Sequence, residues 1–300
     1  MTEIPEALAQ VDAGQVLVIA GPTASGKSAL ALSIARRQGR AIVNADALQV
    51  HATWRVLTAR PSPEDEAAAP HILYGHVHWG GAYSVGRWLR EVGPLLDLSP
   101  APVIVGGTGL FLSALSEGLA DIPETEAAIR AEADERMGRI GVGAMAAELD
   151  ASTWERIDRA NPARVQRAWE VLRQTGRGLA DWHRMTGPPL LPPGRARAFV
   201  MEAPKEVLTP RIGRRFDDML RGGALDEARA ILPRWHPAIP AAKAIGAAEL
   251  VAHLRGEMGL DEARERAVAA TRRYAKRQRT WFRSRMADWE RLPVPDSDPA

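Results

Sequence analysis

Short apolar runs alternate with helical stretches through the first part of the chain. Residues 16–20, VLVIA, are uniformly apolar and end at a glycine-rich loop, as buried parallel strands do. Residues 28–37, SALALSIARR, follow with helical spacing and a basic last turn. Two more runs have the character of strands, namely AIVNAD, which ends in Asp46, and APVIVGG at residues 101–107. This alternation predicts an α/β fold built on a doubly wound parallel sheet.

The pattern changes at about residue 121, where strand-like runs stop and charge-rich helical stretches begin. Another strand, RAFVMEAP at residues 197–204, follows a proline-rich link. The remainder is mostly helical, with a long helix over residues 261–286 and a tail, RLPVPDSDPA, that we expect to be frayed. This organisation predicts a P-loop-type parallel sheet flanked by helices at 1–120 and 195–300, with an all-helical insertion domain at 121–194 and a helical C-terminal part.

The composition narrows the class of protein. At 46% hydrophobic and 25% charged residues, the chain has the make-up of an ordinary globular protein. The absence of cysteine excludes disulfides and cysteine-ligated zinc sites. No apolar run approaches the ~20 residues of a membrane span, and the first residues lack the features of a secretion signal. We therefore expect a cytoplasmic protein that does not associate with a membrane.

Positive charge is concentrated in two segments, although the formal net charge is only +2. Residues 271–287 contain seven Lys and Arg and no acidic residue, and residues 151–200 contain nine Arg against four acidic residues. Local basic surfaces of this kind suit a polyanion such as nucleic acid. A solvated helix face would have the same composition, so charge alone leaves both interpretations open.

The loop after the first strand, GPTASGKS at residues 21–28, fits the phosphate-loop pattern G-x-x-x-x-G-K-[S/T]. Its backbone N–H groups from Thr23 to Ser28 are expected to surround an anion at a helix N-terminus. Lys27 would place a charge on the terminal phosphate, and the Ser28 hydroxyl suits Mg²⁺. The predicted phosphate-binding residues are Gly21, Pro22, Thr23, Ala24, Ser25, Gly26, Lys27 and Ser28.

The acidic residue that a nucleotide hydrolase uses to hold Mg²⁺ is missing from its usual place. That residue would close a second apolar strand, but the candidate strand, VIVGGTGL, ends in glycines. Asp46 instead follows another strand, and the carboxyl ends of parallel strands meet at the ligand site. This layout indicates a small kinase or another group transferase with Asp46 as general base. Position alone also fits an Asx turn or a helix cap.

Six stretches of the chain together resemble one family, the tRNA dimethylallyltransferases or tRNA isopentenyltransferases. In chain order they are GPTASGKS, NADALQVH with TARP, VGGTGLF, RAWEV, RIGRRFDDML with GALDEAR, and RRYAKRQRTWFR. The resemblance implies transfer of a dimethylallyl group from dimethylallyl diphosphate, assisted by Mg²⁺. The implied acceptor is the exocyclic amine of the adenosine just 3′ of the anticodon, in tRNAs that read codons beginning with U.

The resemblance also implies roles for particular residues. Asp46 would take the proton of the amine, and Thr23 and Arg215 would act on the diphosphate, which the phosphate loop holds in place of ATP. Ser28 would be the metal ligand. The helical insertion would clamp the anticodon stem-loop, and a monomer without an obligate protein partner is expected. The implied tRNA-binding residues are Asp46, Ala47, Leu48, Gln49, Thr108, Arg130, Ala163, Arg164, Arg167 and Lys243.

Several positions depart from the family pattern. Ala47 stands where serine is usual, Phe111 where tyrosine is usual, and Ala247 and Ala248 where an aromatic and a cation are usual. These departures bear on the tRNA contacts more than on the chemistry. Three alternatives stay open: an adenylate isopentenyltransferase of the cytokinin type, a P-loop small-molecule kinase, and a non-catalytic RNA-binding protein. The helical insertion counts against the first, and Asp46 with an intact phosphate loop counts against the last.

Overall fold

A six-stranded sheet carries the phosphate loop in the computed structural model, which describes residues Ile4–Val294. The strands are β1 (Val16–Ala20), β2 (Ile42–Asn44), β3 (His71–Ile72), β4 (Val103–Gly106), β5 (Ala196–Glu202) and β6 (Glu290–Pro293). They pair in parallel throughout, in the order β3-β2-β4-β1-β5-β6. The predicted parallel α/β sheet is therefore confirmed.

β1 is apolar at every position because it is buried on both faces. Val18 pairs with Ile104 on one side and with Ala198 on the other, so the strand lies inside the sheet. Leu17 and Ile19 belong to one apolar core, whereas Val18 belongs to the core on the opposite face. A strand with two buried faces loses the alternation of apolar and polar residues.

Helices connect the strands and supply the apolar residues of both cores. Leu30 and Ile34 pack into the first core, and Trp88 and Leu112 into the second. The helices are α1 (Glu6–Ala9), α2 (Lys27–Gln38), α3 (Pro63–Ala68), α4 (Val85–Val92), α5 (Gly109–Glu117), α6 (Ala127–Ala146), α7 (Ala151–Arg156), α8 (Pro162–Thr175), α9 (Leu179–Arg184), α10 (Lys205–Arg221), α11 (Ala224–Ile231), α12 (Ala247–Leu254) and α13 (Leu260–Arg285).

The chain divides into two compact units. The α/β unit contains residues up to Ser116 and from Leu190 onward, and the helical unit is Glu117–Pro189. The helical unit contains α6 to α9, with a core of its own that includes Met145 and Val165. The predicted all-helical insertion is present in this unit, and its role in binding RNA stays a prediction.

β2 ends two residues before the predicted end at Asp46. The reason is the side chain of Asn44, which is fully buried. Its Oδ1 accepts the N–H of Asp46 at 2.8 Å, and its Nδ2 donates to the Asp46 carbonyl at 3.0 Å. These two bonds turn the backbone away from the strand direction and place Asp46 in a loop beyond the sheet edge.

The C-terminal tail differs from the prediction of a frayed segment. Arg291–Pro293 belong to β6, which pairs in parallel with β5. The rest of that tail, residues 295–300, lies outside the described residues. Among residues 4–294, no helix combines the length and the apolarity that a bilayer crossing requires.

Candidate active site

A small cavity lies beside the phosphate loop in the α/β unit. Its volume is about 80 Å³, and its polar lining includes Thr23, Lys27, Asp46 and Arg215. The structure thus brings the three predicted catalytic residues into one cavity. The apolar lining residues are Leu48, Leu57, Ile212, Phe216, Met219 and Ile245.

The phosphate loop has the tight backbone that an anion cradle requires. Ala24 and Gly26 have positive φ angles of 63° and 87°. Gly26 caps α2, whose first N–H groups have no acceptor within the helix and form the positive end of its dipole. A Cβ at Gly21 would lie 2.8 Å from Ser25 Oγ, so the loop packs closely only with glycine there. This geometry suits a phosphate bound at the start of α2.

The two cations of the cavity are held away from water. Burial lowers the pKa of Lys27 to about 8; Asp46 opposes this shift and Arg215 adds to it. Burial also lowers the pKa of Arg215, and the Asp46 carboxylate opposes that shift. Lys27 Nζ donates to the carbonyl of Pro22 at 3.3 Å, so its charge rests against the phosphate loop itself. Desolvated cations of this kind stabilise an anion strongly.

Asp46 lines the cavity from a turn of its own making. Its Oδ1 accepts the N–H of Leu48 at 2.9 Å, which is the Asx turn that the sequence left open as an alternative. The Asx turn does not exclude a role in the cavity. The carboxylate that closes the turn also interacts electrostatically with Lys27 and Arg215. The turn fixes the carboxylate orientation, as a general base requires, and the base role stays a prediction.

Thr108 holds the loop that carries Asp46. Its hydroxyl accepts the N–H of Ala47 at 2.9 Å, and its own N–H donates to the Ala45 carbonyl at 3.2 Å. Gly106 lies so close to this loop that a Cβ there would be 2.1 Å from the Ala45 oxygen. The glycine-rich end of β4 therefore serves close packing against the Asp46 loop. Thr108 was predicted to contact tRNA, and the structure gives its hydroxyl this internal partner.

Gln278 of α13, which is not among the predicted site residues, contacts the phosphate loop. It is 5% exposed; its Oε1 accepts the N–H of Thr23 at 2.9 Å, and its Nε2 donates to the Gly107 carbonyl at 2.8 Å. The Thr23 N–H is therefore engaged by a side chain, whereas it was predicted to face the phosphate. Tyr274 lies one turn earlier on α13, and burial raises its pKa. Its sequence signal is its place in RRYAKRQRTWFR, one of the six stretches that resemble the family.

The residues of the α/β unit that were predicted to contact tRNA differ in exposure and in the hydrogen bonds they already make. Gln49 donates both amide N–H groups, to the carbonyls of Thr58 and Ala59, at 2.9 and 2.8 Å. Lys243 is exposed. Ala247, one of the positions that depart from the family pattern, is fully buried in the core. Of these positions, Lys243 has the exposure that a phosphate contact needs.

The predicted contacts of the helical unit lie on or beside α8. Arg130 Nε lies 2.8 Å from Glu170 Oε1, and Arg167 lies 3.9 Å from the other oxygen of the same carboxylate. Glu170 is only 1% exposed, so a buried anion orients both arginines. Ala163 and Arg164 are exposed in the first turn of α8, where the helix dipole favours a phosphate.

Ser28, the predicted Mg²⁺ ligand, lies in the first turn of α2 and lines the cavity together with Asp46. No group of three or more His, Asp or Glu side chains that could hold a metal ion occurs between residues 4 and 294. Mg²⁺ is commonly bound by one or two protein groups together with substrate phosphates and water. The donor set at this cavity therefore fits an ion shared with a bound diphosphate.

Two protein-family models match the chain. The model described as IPP transferase matches residues 49–285, and the model described as isopentenyl transferase matches residues 14–72. The second match contains the whole phosphate loop and Asp46. The first contains α8, α10 and α13, together with Thr108, Arg130 and Lys243.

Curated relatives are similar over nearly their full length. A tRNA dimethylallyltransferase of Dinoroseobacter shibae is 64% identical over 96% of this chain and 97% of that protein. A tRNA dimethylallyltransferase of Paracoccus denitrificans is 58% identical over 96% of this chain and 97% of that protein. Identity at this level extends across both units of the fold.

Solved structures have the same fold. The tRNA isopentenylpyrophosphate transferase of Bacillus halodurans matches with a TM-score of 0.65 and 29% identity, over 95% of this chain and 91% of that one. A eukaryotic dimethylallyltransferase solved while acting on tRNA matches with a TM-score of 0.79 over 94% of this chain and 74% of that one. At 24% identity, the second match concerns the fold alone.

Proposed function

The chain belongs to the IPP transferase family, and we propose that its cavity transfers a dimethylallyl group from dimethylallyl diphosphate to tRNA. The acceptor is the exocyclic amine of the adenosine just 3′ of the anticodon, in tRNAs that read codons beginning with U. The products are the prenylated adenosine and diphosphate.

The mixed lining of the cavity, part charged and part apolar, carries this proposal. It combines the phosphate-loop residues, Lys27 and Arg215 with apolar side chains such as Ile212 and Phe216. An isoprenoid diphosphate has the same two parts, an anionic head and a hydrocarbon chain. Asp46 lines the same cavity, within the electrostatic reach of both cations.

The reaction breaks the bond between the allylic carbon and the diphosphate oxygen. The leaving diphosphate takes the electron pair, and Lys27, Arg215 and the N–H groups at the start of α2 stabilise the negative charge as it develops. The amine nitrogen forms the new bond to the allylic carbon and loses its proton to Asp46. An exocyclic amine is a weak nucleophile, so the fixed orientation of Asp46 contributes through positioning.

When bound, Mg²⁺ would neutralise charge on the diphosphate. The residues that would hold it are Ser28, through its hydroxyl, and the oxygens of the bound diphosphate. Gln278 contributes indirectly, since it ties Thr23 to Gly107 and so keeps the phosphate loop against the β4 edge.

The helical unit supplies the recognition of the anticodon arm. The target base must leave its stacked position to reach a desolvated cavity. Loop bases are read by their edges and by stacking, and the stem by its phosphates. Arg130, Arg164 and Arg167 of this unit and Lys243 of the α/β unit are the proposed contacts.

One assay tests the proposal. The protein is incubated with labelled dimethylallyl diphosphate and Mg²⁺, and offered either an anticodon stem-loop with adenosine at the target position or free AMP. We expect label to enter the RNA only, and a stem-loop with guanosine at that position serves as the matched control.

The alternatives give different results in the same assay. Label in AMP without label in RNA would identify an adenylate isopentenyltransferase. Consumption of added ATP without any transfer of label would identify a kinase. RNA binding with neither reaction would identify a non-catalytic RNA-binding protein, and each of these outcomes overturns the proposal.

A further inference from the structure

We propose that Phe216, together with Leu57 and Gly246, limits the donor to a single isoprene unit. The proposal rests on the proposed function, since it concerns the hydrocarbon end of the same cavity. Phe216 is therefore a specificity-determining residue, which accepts a dimethylallyl chain and excludes a geranyl chain.

One stripe of α10 forms the wall that faces the donor. Ile212, Arg215, Phe216 and Met219 all line the cavity, and their spacing of three, four and seven residues puts them on one face of the helix. The charged member of the stripe suits the diphosphate, and the apolar members suit the chain that is attached to it. A single helix face thus provides for both ends of the donor.

The apolar end of the cavity is closed by tight packing behind Phe216. Gly246 has a positive φ of 95°, and a Cβ on it would lie 2.9 Å from Phe216 Cε2 and 3.2 Å from Leu57 Cδ1. Not even a methyl group fits between the Phe216 ring and this backbone. Phe216 and Leu57 are each only 4% exposed, so the protein core lies directly behind them.

Leu57 is fixed in turn by a partly buried contact of its loop. The carboxylate of Glu227 accepts the N–H groups of Arg55, Val56 and Leu57, at 2.8, 2.8 and 3.0 Å. Three bonds from consecutive N–H groups to one carboxylate are strong and directional. The wall that Leu57 forms is therefore held in place and does not yield easily to a longer chain.

The cavity is small, with a volume of about 80 Å³. A second isoprene unit would need space that Phe216 now occupies. Shortening this side chain is the direct way to create that space.

A groove of about 1010 Å³ shares Ser28 and Gln49 with the cavity. Its lining combines apolar side chains such as Leu32, Ile42 and Val105 with Arg36, Arg37 and Arg60. The proposal concerns the part of the cavity lined by Phe216 and Leu57.

The test compares dimethylallyl diphosphate with geranyl diphosphate as donors to the anticodon stem-loop. In the wild-type protein we expect transfer from the first and little from the second. In Phe216→Leu, the ratio of kcat/KM for geranyl to that for dimethylallyl should rise by about 10–200-fold. Phe199→Leu is the matched control, because Phe199 is equally buried and does not line the cavity. Its ratio should stay at the wild-type value.

Three results would overturn the proposal: wild-type protein that uses geranyl diphosphate well, a Phe216→Leu ratio that does not change, or a Phe199→Leu ratio that rises equally. A cooperative thermal unfolding transition reports that the variant is folded. If Phe216→Leu does not fold, competition in the wild-type protein decides, since geranyl diphosphate should inhibit the dimethylallyl reaction only weakly and strong inhibition contradicts the proposal. Failure of the proposed function is distinct, because the wild-type protein would then transfer neither chain.

Discussion

The two units use positive charge in opposite ways. In the α/β unit, Lys27 and Arg215 are desolvated beside Asp46, and burial lowers the pKa of each. In the helical unit, Arg130 is exposed and Arg167 is half-buried, and both lie beside one buried carboxylate, Glu170. Burial lowers the pKa of Arg167 as well. Desolvated charges interact strongly at short range, whereas exposed charges are screened by salt. The comparison contrasts the buried cations of the proposed donor site with the more accessible arginines of the proposed RNA-binding surface.

Asp46→Ala should have the largest effect, and it tests whether catalysis in the α/β unit is separate from RNA binding in the helical unit. We expect the single-turnover transfer rate to fall by ~10²–10⁴, the contribution typical of a general base. The affinity for tRNA, measured by filter binding, should stay close to the wild-type value. Asp46→Asn is the control, because it keeps the shape of the Asx turn and lacks the base. An equal loss of binding and turnover in Asp46→Ala would show that the two units are not separate in function.

Removal of Gln278 should have the next largest effect. Gln278→Ala leaves the Thr23 N–H and the Gly107 carbonyl without their partner, and an unsatisfied buried group costs about 1–3 kcal/mol. We expect a lower thermal midpoint and a fall in kcat/KM for the donor, measured well below that midpoint.

The control for Gln278→Ala is Ile34→Val, which removes a buried methyl group from α2 away from the cavity lining. It should lower the free energy of unfolding by about 0.5–1.5 kcal/mol without changing kcat/KM for the donor. If both variants lose activity in proportion to stability, Gln278 is a residue of the general core and does not position the phosphate loop.

The pH dependence should follow Lys27. Its pKa of about 8 means that the ammonium is present below that pH and is lost as the pH rises through it. The kcat/KM for the donor should therefore decrease above about pH 8, by up to ~10-fold per pH unit. The affinity of the free protein for the stem-loop is the control. Over pH 8–9 it should change less than kcat/KM for the donor does. A flat kcat/KM profile across that range would contradict a role for Lys27 at the diphosphate.

The smallest effect is expected in the helical unit. Arg167→Gln should weaken stem-loop binding at low salt, and the slope of log K against log [salt] should become shallower by about one unit if Arg167 contacts a phosphate. Arg173→Gln is the matched control on α8, because Arg173 is exposed and pairs with Glu132 instead. An Arg167→Gln slope equal to that of the wild-type protein would show that Arg167 does not contact a phosphate, and an equally shallow slope in Arg173→Gln would show that the contact is not specific to Arg167.

The sequence predicts the parts of this molecule that depend on local pattern. β1, α2 and α13 follow from apolar runs and helical spacing, and the phosphate loop follows from its motif. β6 escapes prediction because it is short and contains Pro293, which usually argues against a strand. A proline is tolerated there because β6 lies at the edge of the sheet.

Tertiary contacts decide the rest of the site. Asp46 can be picked out as a candidate from the sequence. Its placement in the cavity depends on the hydrogen bond between Asn44 and the Asp46 N–H and on the bond between the Asp46 carboxylate and the Leu48 N–H. The stripe of α10 could have been found from its spacing, although nothing local indicates that it faces a cavity. Gln278 could not have been found from spacing, since its partners lie on distant segments.

The bond between Thr23 and Gln278 joins positions 255 residues apart in the chain. At a synthesis rate of ~5–20 residues per second, the phosphate loop leaves the ribosome roughly 13–50 s before the glutamine that holds it. During that interval a nascent chain carries the loop without its support from α13. The phosphate loop therefore gains this hydrogen bond only late in translation, after most of the chain has been made.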